Sequence, residues 1–505
     1  MTFNIGAELV ERNLREGRAD APAVWFSGRT YSYAEVSARV DRIGVALLRA
    51  GVLPEQRVLF VLQDSLDLAC GYLAAMKIGA VAVPCNPLLR AADYEYFVDE
   101  SRARLVVTSR FCLERMQPAL SKARQILFCD MPEDARSFER FVEETPQAKL
   151  EAARTSPDEP AFWLWTSGST GRPKAAVHAH QDWQHCCELY AKPVLELGPQ
   201  DRCFSASKLF HAYGLGNALA FPFWCGATTV LLSDKPTPAN MFQTIAETQP
   251  TIFFGVPTLY AAMLAQGAGP IRLPSLRLCV SAGEPLPGEL FTRWKTRYGT
   301  EILDGIGSTE VLHIYVSPRR GSARPDSTGI PVSGYEVRIV DEHLRDVPEG
   351  EAGDLIVKGP STALHYWNRL ATSRAKMRGE WFFSGDKFRR TPDGELHYVG
   401  RSDDMFKCGG EWVSPTDVES ALASHAAVLE AAVTPRMSPD GLLRAQAHVV
   451  LVAGKAPSAE LEEELRQAVR ARCPGFMVPR QMQFVQELPK TASGKIQRYV
   501  LRGEG

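Results

Sequence analysis

The stretch "WLWTSGSTGRPKAAVHAH", Trp163 to His180, places a polar loop between two apolar runs. The loop offers several hydroxyl side chains, and its glycines let backbone amides point into one concavity without interference from a Cβ atom. Such a group of amides binds anions, phosphate above all. Arg172 and Lys174 add positive charge at the exit. The stretch therefore predicts a phosphate-binding loop held by a buried frame, and a solvent-exposed turn is the alternative interpretation.

Two common loop types are excluded by the spacing. A Walker A loop requires G-x-x-x-x-G-K-[ST], whereas Gly168 and Gly171 are three apart and Lys174 is followed by alanine. A G-x-S-x-G nucleophile elbow fails because the residue two before Ser169 is a serine. The pattern therefore favours neither a P-loop kinase nor an α/β-hydrolase.

Composition sets further limits. A chain of 505 residues is too long for one ordinary core, so we expect two or more domains. The net charge of -2 argues against a general nucleic-acid or anionic-membrane binder, and the sequence has no signal peptide and no apolar run long enough to span a bilayer. Eleven cysteines without a C-x-x-C pattern indicate reduced thiols in a cytosolic protein, with the adjacent Cys186 and Cys187 inert.

Helix and strand signals alternate over the first part of the chain. "SYAE" at Ser32 to Glu35 reads as a capping box before an apolar face at helical spacing, and Gly51 is a plausible stop. "RVLFVL" from Arg57 then reads as a buried strand, and the rhythm recurs as far as "EILDGIG" from Glu301. The alternation predicts layered α/β architecture with largely parallel sheets, in two blocks of roughly 1–180 and 181–325.

The pattern changes past Pro331. "GYEVRIVD" and "GDLIVKG" indicate strands of a small β-rich unit. After about Arg401 a compact tail follows, with a helix near 415–424, a strand near 444–452, a helix near 458–472 and a strand at "QMQFVQ". About a hundred residues suffice for an independent domain, and the charged, glycine-containing "GRSDDMFKCGGEW" suits a hinge.

The T-S-G-S-T-G-x-P-K pattern resembles the phosphate-binding signature of the adenylate-forming superfamily, which includes acyl- and aryl-CoA synthetases and adenylation domains. Further motifs of that family follow in its order and together span nearly the whole chain: "SAGEPLP" from Ser281, "DGIGSTE" from Asp304, "WFFSGD" from Trp381, "GRSDDMFKCGGEWVSPTDVE" from Gly400 and "PKTASGKIQR" from Pro489. Within the superfamily, "KLFHAYGLGNALAFPFWCGATTVL" and "DGIGSTEVLHIYVS" look most like the benzoate-CoA ligase branch.

The resemblance implies a reaction in two halves. A carboxylate attacks the α-phosphate of ATP, giving acyl-adenylate and pyrophosphate, and the thiol of coenzyme A then displaces AMP. It also implies an N-terminal AMP-binding domain of two layered α/β subdomains plus a small β-rich subdomain, 1–402. A smaller mobile α+β C-terminal domain, 403–505, would rotate about a hinge near Asp403 between the two halves. The implied cofactors are ATP, Mg²⁺ and coenzyme A.

Several residues acquire nucleotide-binding roles through this resemblance. Lys495 would neutralise charge where the carboxylate meets the α-phosphate, Thr309 would bond that phosphate, and Glu310 would hold Mg²⁺. Asp386 would accept both ribose hydroxyls, with Arg401 beside it. The remaining ATP or AMP contacts would be Thr166, Ser167, Gly168, Ser169, Thr170, Gly171 and Lys174 at the phosphates, and Ala282, Gly283, Glu284, Asp304, Gly305, Ile306, Gly307 and Ser308 around the adenine and α-phosphate.

The coenzyme A side of the site would be formed by the hinge segment. After rotation, Lys407 to Glu411 would enter the site, and Gly409 and Gly410 would let the backbone approach the pantetheine arm. An ordinary β-turn at "KCGGEW" is the competing interpretation.

The acid pocket is predicted to be a slot for a flat ring. Its candidate residues mix aromatic faces with small side chains: Phe210, His211, Ala212, Tyr213, Gly214, Gly307 and His313. His211 would flank the carboxylate or gate the pocket, unless it is a packing histidine. His313 would face the far end of the ring or take a hydrogen-bonded core role, and Phe210 would be core or wall.

We therefore expect an aryl-CoA ligase for benzoate or a ring-substituted relative such as 2-aminobenzoate or a hydroxybenzoate. The alternative enzyme is a stand-alone aryl-acid adenylation protein that loads a carrier protein. A non-catalytic relative is disfavoured because Lys174, Glu310, Asp386 and Lys495 are all present. The expected partners are a small aromatic carboxylic acid, ATP and CoA, without nucleic acid or membrane; the oligomeric state stays open, a homodimer included.

Overall fold

A computed structural model describes residues 2–168, 171–266, 273–402, 404–408, 411–438, 443–490 and 496–503. Its α-helices, in chain order, are α1 (Ile5–Arg15), α2 (Tyr33–Arg49), α3 (Leu66–Lys77), α4 (Ala91–Ser101), α5 (Leu113–Leu120), α6 (Phe138–Glu143), α7 (His180–Cys186), α8 (Ala212–Leu215), α9 (Phe221–Cys225), α10 (Pro238–Thr248), α11 (Pro257–Gln266), α12 (Gly288–Tyr298), α13 (Leu370–Lys376), α14 (Pro415–Ala423), α15 (Ala459–Arg470) and α16 (Arg498–Leu501).

The strands, in chain order, are β1 (Pro22–Phe26), β2 (Arg29–Ser32), β3 (Arg57–Val61), β4 (Val81–Pro84), β5 (Leu105–Ser109), β6 (Ile126–Cys129), β7 (Pro160–Gly168), β8 (Gly171–Ala179), β9 (Arg202–Ser205), β10 (Thr228–Leu231), β11 (Ile252–Gly255), β12 (Leu278–Ala282), β13 (Ile302–Gly307), β14 (Ile314–Ser317), β15 (Ile330–Pro331), β16 (Glu336–Val340), β17 (Ala352–Lys358), β18 (His365–Tyr366), β19 (Met377–Arg378), β20 (Trp381–Arg390), β21 (Leu396–Arg401), β22 (Phe406–Cys408), β23 (Glu411–Val413), β24 (Val428–Met437), β25 (Leu443–Leu451) and β26 (Gln481–Phe484).

Local sequence signals set the ends of α2 as predicted. The Ser32 side chain accepts a hydrogen bond from the Glu35 backbone amide, and the Glu35 carboxylate accepts one from the Ser32 amide, which completes the capping box. The helix closes at Ala50, and Gly51 follows with φ +73°, a left-handed conformation that glycine adopts without strain. The predicted capping box is therefore confirmed.

Two large sheets form the body of the described chain. One has seven strands in the order β18-β8-β7-β4-β3-β5-β6, and the other has nine in the order β15-β14-β13-β12-β11-β9-β10-β1-β2. Strands β3 to β7 pair with one another in parallel, as do β9 to β13, whereas β8 and β14 join these sets in antiparallel fashion. The mixed α/β class predicted from the alternating pattern is confirmed.

The predicted boundary between the two blocks is wrong at the N-terminus. Strand β1 pairs in parallel with β10, with Val24 opposite Thr229, and β2 closes the edge of the same sheet. Residues 22–32 thus belong to the sheet of the second block, although they precede every strand of the other large sheet. The period of a strand does not reveal which distant strand it pairs with, so the sequence pattern could not place this hairpin.

The Gly-rich stretch lies between two strands that pair with each other. Strands β7 and β8 are antiparallel, and the register brings Thr166 opposite Lys174 and Gly168 opposite Gly171. The short strand β18 adds to the outer side of β8, with Tyr366 opposite Ala176. The apolar flanks of the loop are thus a buried hairpin, which is the frame that the sequence required.

The C-terminal part has its own apolar cluster. Strands β16, β17, β19, β20 and β21 form a small antiparallel sheet, as expected for the β-rich unit. Beyond it, buried side chains from Phe406 to Met477 form a cluster that draws on β22 to β25 and on α14 and α15. This cluster is separate from the main core, whose members end at Leu396.

All eleven cysteines are free thiols, and ten of them are buried. Burial raises the pKa of Cys186 to about 12 and that of Cys187 well above the ordinary value, which keeps both protonated. In the described parts of the chain, no helix combines the length and apolar character needed to cross a bilayer.

Candidate active site

The predicted adenine residues meet at the carboxyl ends of two neighbouring parallel strands. In the register of β12 and β13, Ser281 lies opposite Asp304 and Ala282 opposite Gly305. Gly283 follows β12 with φ +91°, and open space surrounds the position a Cβ would take. In α/β sheets this edge is where ligands bind, so the structure brings the two predicted motifs together at one crevice.

Asp304 is a buried acid with spare hydrogen-bonding capacity. Its Oδ1 is buried and has no hydrogen-bond partner among the described residues, and the same holds for the hydroxyl of Ser281 beside it. Burial raises the pKa of Asp304 to about 8. Unpartnered buried polar atoms are rare in native proteins, and a carboxyl oxygen of this kind suits a donor supplied by a ligand.

Strands β7 and β8 form a hairpin, residues 160–179, which we call the Gly-rich hairpin. Lys174 lies on its second strand, opposite Thr166. Its Nζ lies 4.5 Å from the centroid of the Tyr366 ring. Burial lowers the pKa of Lys174, the Glu310 carboxylate raises it, and the charges of Lys376 and Arg401 lower it. A half-buried ammonium among other cations favours a polyanion in the space between them.

Residues 308–312, which we call the 308–312 turn, carry the predicted metal ligand. Thr309–Val311 form one turn of 3-10 helix, and the Ser308 hydroxyl caps it by accepting from the Val311 amide at 3.2 Å. Leu312 has φ +73°, which is costly for a residue with a branched side chain. Such strain persists only where the surroundings fix the backbone, and the 308–312 turn is held from several sides.

Glu310 is the ionisable centre of this turn. It is 9% exposed, and its Oε1 accepts a hydrogen bond of 2.6 Å from the hydroxyl of Tyr366. Its carbonyl accepts from the Ala363 amide at 2.7 Å. Carboxylate oxygens are ligands that Mg²⁺ prefers, and a carboxylate oriented by a tyrosine beside Lys174 fits an ion bound together with phosphate.

Further side chains hold the 308–312 turn from behind. The Ser361 hydroxyl donates to the Val311 carbonyl at 2.7 Å, and the Tyr335 hydroxyl lies 2.7 Å from Ser361 Oγ. On the opposite side, His178 Nε2 lies 2.8 Å from the carbonyl oxygen of Thr309. The turn is thus fixed by side chains from two separate segments of the chain, Ser361 and His178, and Tyr335 supports Ser361.

The predicted ribose residues form a pair. Asp386 and Arg401 lie opposite each other on β20 and β21, and Arg401 Nη1 is 3.4 Å from Asp386 Oδ1. Gly385 precedes the acid with φ +80°, and Lys376 Nζ lies 3.2 Å from the place a Cβ on Gly385 would occupy. Arg401 thus pairs with the carboxylate, Lys376 stands beside the preceding glycine, and both cations lie close enough to Lys174 to lower its pKa.

Tyr213 and His313, two residues of the predicted slot for the acid, pack against each other. Their rings are 5.6 Å apart, and His313 Nε2 lies 3.4 Å from the Tyr213 carbonyl. Burial lowers the pKa of His313 to about 3, so its imidazole is neutral, and its Nδ1 has no partner within the described part of the chain. A Cβ on Gly216 would stand 2.6 Å from the His313 ring, so the slot requires a glycine there.

The 207–214 segment forms the entrance side of this slot. Phe210 is 7% exposed and its ring contacts that of His211 at 4.4 Å, while His211 and Ala212 are partly exposed. A Cβ on Gly214 would stand 2.2 Å from the Lys208 carbonyl oxygen, so α8 can pack on this loop only through a glycine. His211 and Ala212 are thereby placed at the start of α8.

Some predicted residues lie outside the described parts of the chain. These are Ser169, Thr170, Asp403, Gly409, Gly410 and Lys495, together with the side chains of Ser167 and Lys407. Their roles stay predictions. Of the coenzyme A segment, Cys408 is opposite Glu411 in the pairing of β22 with β23, and Glu411 is exposed.

Sequence reasoning missed four residues of the site: His178, Ser361, Tyr366 and Lys376. None belongs to one of the quoted family motifs. Ser361, Tyr366 and Lys376 come from the segment between β17 and β20, in which the sequence predicts no site residue. His178 is the next-to-last residue of β8, and Asp182 lies in the first turn of α7, so no helical spacing in the sequence indicated their contact.

The whole chain is similar to known proteins. A family model described as AMP-binding enzyme matches residues 10–367, and one described as AMP-binding enzyme C-terminal domain matches residues 417–495. The benzoate–CoA ligase of Thauera aromatica is 44% identical over 99% of this chain and 96% of its own length. The 4-hydroxybenzoate–CoA/benzoate–CoA ligase of Rhodopseudomonas palustris is 40% identical over 99% and 94%.

Two solved structures are similar throughout. A benzoate CoA ligase from Burkholderia xenovorans LB400 superposes with a TM-score of 0.92 at 44% identity, covering 99% of this chain and all of the other. The anthranilate CoA ligase AuaEII in complex with anthranoyl-AMP gives a TM-score of 0.96 at 37% identity, covering 100% of this chain and 97% of the other.

Proposed function

The chain belongs to the AMP-binding enzyme family, and from that premise we propose that it activates benzoate or a ring-substituted benzoate as an acyl-adenylate and transfers the acyl group to coenzyme A. It is an AMP-forming acid–thiol ligase that uses ATP and CoA. One observation carries the proposal. Lys174, Glu310 and the Asp386–Arg401 pair lie around one crevice, beside a slot lined by aromatic rings.

The nucleotide would lie along the carboxyl ends of β12 and β13. Its adenine would rest on Ala282 and Gly283, with its exocyclic amine donating to the orphaned oxygen of Asp304. Its ribose hydroxyls would donate to Asp386, and Arg401 holds that carboxylate in place. The phosphates would lie between the Gly-rich hairpin and the 308–312 turn, against Lys174.

Glu310 would hold Mg²⁺, because its carboxylate is a hard oxygen donor that Tyr366 orients. When bound, the ion would supply positive charge to the phosphate oxygens. Lys495 would add charge where the acid attacks the α-phosphate, a step in which negative charge accumulates and positioned cations have their largest effect.

The organic acid would lie beside the paired rings of Tyr213 and His313. A neutral, buried imidazole and a tyrosine ring offer aromatic surface to a ring-shaped acid, and Gly216 and Gly307 let His313 pack in this place. We therefore infer an aromatic rather than a long-chain acid. The substituent on its ring belongs to this proposal and would be decided by contacts at the far end of the slot.

The second half-reaction would require the C-terminal part to move. We propose 403–505 as a mobile domain, with the hinge near Asp403, so that Lys407 to Glu411 reach the pantetheine arm. The separate apolar cluster of residues 406–477 supports this division, because a body that moves as a unit needs its own core.

The proposal is tested by a screen of aromatic acids. With Mg²⁺ and ATP, the purified protein should exchange labelled pyrophosphate into ATP when given benzoate or one of its amino or hydroxy derivatives. Adding CoA should convert the same acid to its thioester, whereas a carrier protein should not replace CoA. Absence of exchange with every acid would refute adenylation, and transfer to a carrier protein in preference to CoA would favour the alternative enzyme.

A further inference from the structure

His178 is a buried histidine whose two ring nitrogens both face oxygen atoms. Its side chain is fully buried, with Nδ1 2.8 Å from Asp182 Oδ2 and Nε2 2.8 Å from the carbonyl oxygen of Thr309. The ring stacks on Phe162, with 5.2 Å between centroids and 12° between planes. Stacking and two hydrogen bonds together leave the imidazole no freedom to turn.

The acceptors define where the protons lie. A backbone carbonyl only accepts, so Nε2 must carry a proton and donate it to Thr309. Asp182 Oδ2 also accepts from the amide of Ala179 at 3.0 Å. A proton therefore lies between His178 Nδ1 and Asp182 Oδ2, and the pair keeps Nε2 as a fixed donor toward the turn.

The bond from His178 acts on the residue that precedes Glu310. Thr309 Oγ and the Glu310 carboxylate are the groups proposed to meet the α-phosphate and Mg²⁺, and both belong to the strained 308–312 turn. Ser361 and Ala363 hold the turn at Val311 and Glu310. His178 is the anchor at Thr309 that comes from the Gly-rich hairpin itself.

We propose that His178 and Asp182 are positioning residues that lock the 308–312 turn to the Gly-rich hairpin. They thereby keep a fixed spacing between these two elements, which flank the phosphate site. The inference rests on the proposed function, because it assigns that spacing to ATP and Mg²⁺. The dyad does not touch the reacting atoms. It acts through the Thr309 carbonyl, and its loss would weaken metal-dependent nucleotide binding and adenylation rather than acid binding.

The test uses two substitutions whose side-chain amides replace different nitrogens of the His178 ring: Asn replaces Nδ1, and Gln replaces Nε2. In His178→Asn the short amide can reach Asp182 but not Thr309, whereas in His178→Gln the longer amide can donate to the Thr309 carbonyl. We expect His178→Asn to raise the Mg²⁺ concentration for half-maximal pyrophosphate exchange about tenfold and to lower kcat, with the KM of the acid unchanged. His178→Gln should recover most of the loss.

A second readout does not depend on turnover. Calorimetric binding of a non-hydrolysable ATP analogue with Mg²⁺ should be about tenfold weaker to His178→Asn than to the wild type, with His178→Gln in between. If His178→Asn does not fold, His178→Phe keeps the stack on Phe162 and removes both hydrogen bonds, so it answers the same question. The binding comparison remains informative even if no acid supports exchange, an outcome that would refute only the proposed function.

His180 provides the matched control. It is buried on the same segment, and its Nδ1 accepts from the Ile5 amide at 3.2 Å, away from the turn. His180→Asn should lower the thermal unfolding temperature without changing the Mg²⁺ requirement. Equal Mg²⁺ requirements and analogue affinities in wild type and His178→Asn would overturn the proposal, as would the same shift in His180→Asn.

Discussion

At the scale of single residues, the site contains buried polar atoms that have no hydrogen-bond partner among the described residues. Asp304 keeps an unpartnered carboxyl oxygen in the interior, and His313 keeps an unpartnered ring nitrogen within the described chain. Burial raises the pKa of the acid and lowers that of the base, so both are neutral near pH 7. Perturbed groups of this kind cluster at functional sites, because the ligand supplies the missing partners.

Asp304→Asn should change how stability depends on pH. The folded pKa of about 8 lies above the unfolded value near 3.9, so the folded state holds a proton that the unfolded state releases. Wild-type stability should therefore fall as the pH rises from about 4 to 8, by up to about 1.4 kcal/mol per pH unit, and the variant should lack this slope. Urea unfolding midpoints at several pH values measure it, and parallel curves would contradict the assignment.

Lys376→Met should weaken ATP binding. The ammonium stands beside Gly385 and opposes the protonation of Lys174, which places it at the phosphate side of the crevice. We expect the KM for ATP to rise about tenfold, the loss usual for a charged hydrogen bond, with the KM of the acid unaltered. Arg374→Met, an exposed cation on the same helix, is the control and should match the wild type. Equal KM values in all three proteins would exclude Lys376 from the site.

Lys495→Ala separates the two half-reactions. The terminal lysine motif assigns this charge to adenylation alone, so acyl-AMP formation should fall by a factor of about 100 or more, as expected when an electrostatic stabiliser is removed. Thioester formation from supplied acyl-AMP should be largely preserved. Stopped assays of each half-reaction decide the matter, and equal losses in both would reject the role.

At the scale of elements, the short strand β18 connects the pieces of the site. By pairing with β8 it places Tyr366 against both Lys174 and Glu310. The Gly-rich hairpin and the 308–312 turn are thus joined twice, through β18 and through His178. A strand of two residues has little stability of its own, so its place depends on the hairpin beside it.

Tyr366→Phe tests this connection. The ring would stay over Lys174, but the 2.6 Å hydrogen bond to Glu310 would be lost. We expect the rate of pyrophosphate exchange at limiting Mg²⁺ to drop about tenfold, because a metal-binding carboxylate loses its orienting partner. Tyr260→Phe, which removes a buried hydroxyl 2.8 Å from the Val280 carbonyl, is the control for hydroxyl loss as such. An unchanged rate in Tyr366→Phe would mean that Glu310 is oriented by other contacts.

The helices and strands themselves were largely predictable from the sequence, whereas their pairing with distant strands and side chains was not. Capping signals and apolar periods located α2, β3 and the strands around the crevice, because those signals are local. The hairpin of β1 and β2, the strand β18 and the contact of His178 with Thr309 depend on residues far apart in sequence. A motif indicates which groups perform chemistry, whereas the side chains that hold them are chosen by packing.

At the scale of the whole molecule, a cluster of ion pairs lies next to the proposed hinge. Arg498 contacts Asp404 at 3.3 Å and Glu419 at 2.7 Å, and Arg502 contacts Asp404 at 3.3 Å. Arg498 is largely buried, and the two carboxylates raise its pKa above the ordinary value, although burial opposes this. The terminal segment is thereby tied to the residue that follows Asp403.

Asp403→Pro should block the rotation. Proline fixes φ near −65°, so a residue that must change its backbone angles between half-reactions loses that freedom. We expect pyrophosphate exchange to continue while the overall formation of thioester falls at least about tenfold. A loss of this kind is expected because substitutions at hinge residues often change kcat. Asp403→Ala removes the side chain without fixing φ and should turn over nearly as the wild type does. Full thioester formation by the proline variant would count against the hinge.

The hairpin of residues 22–32 has a consequence for how the protein is made. It leaves the ribosome early, yet its sheet neighbour β10 is synthesised only about 10–40 s later, at the usual elongation rates. During that interval the backbone N–H and C=O groups of β1 that will pair with β10 are unpaired, and such exposed strand edges can pair with other chains. Splitting the gene between the two sheets would put β1 and β10 on separate fragments, so we expect neither fragment to complete this sheet alone.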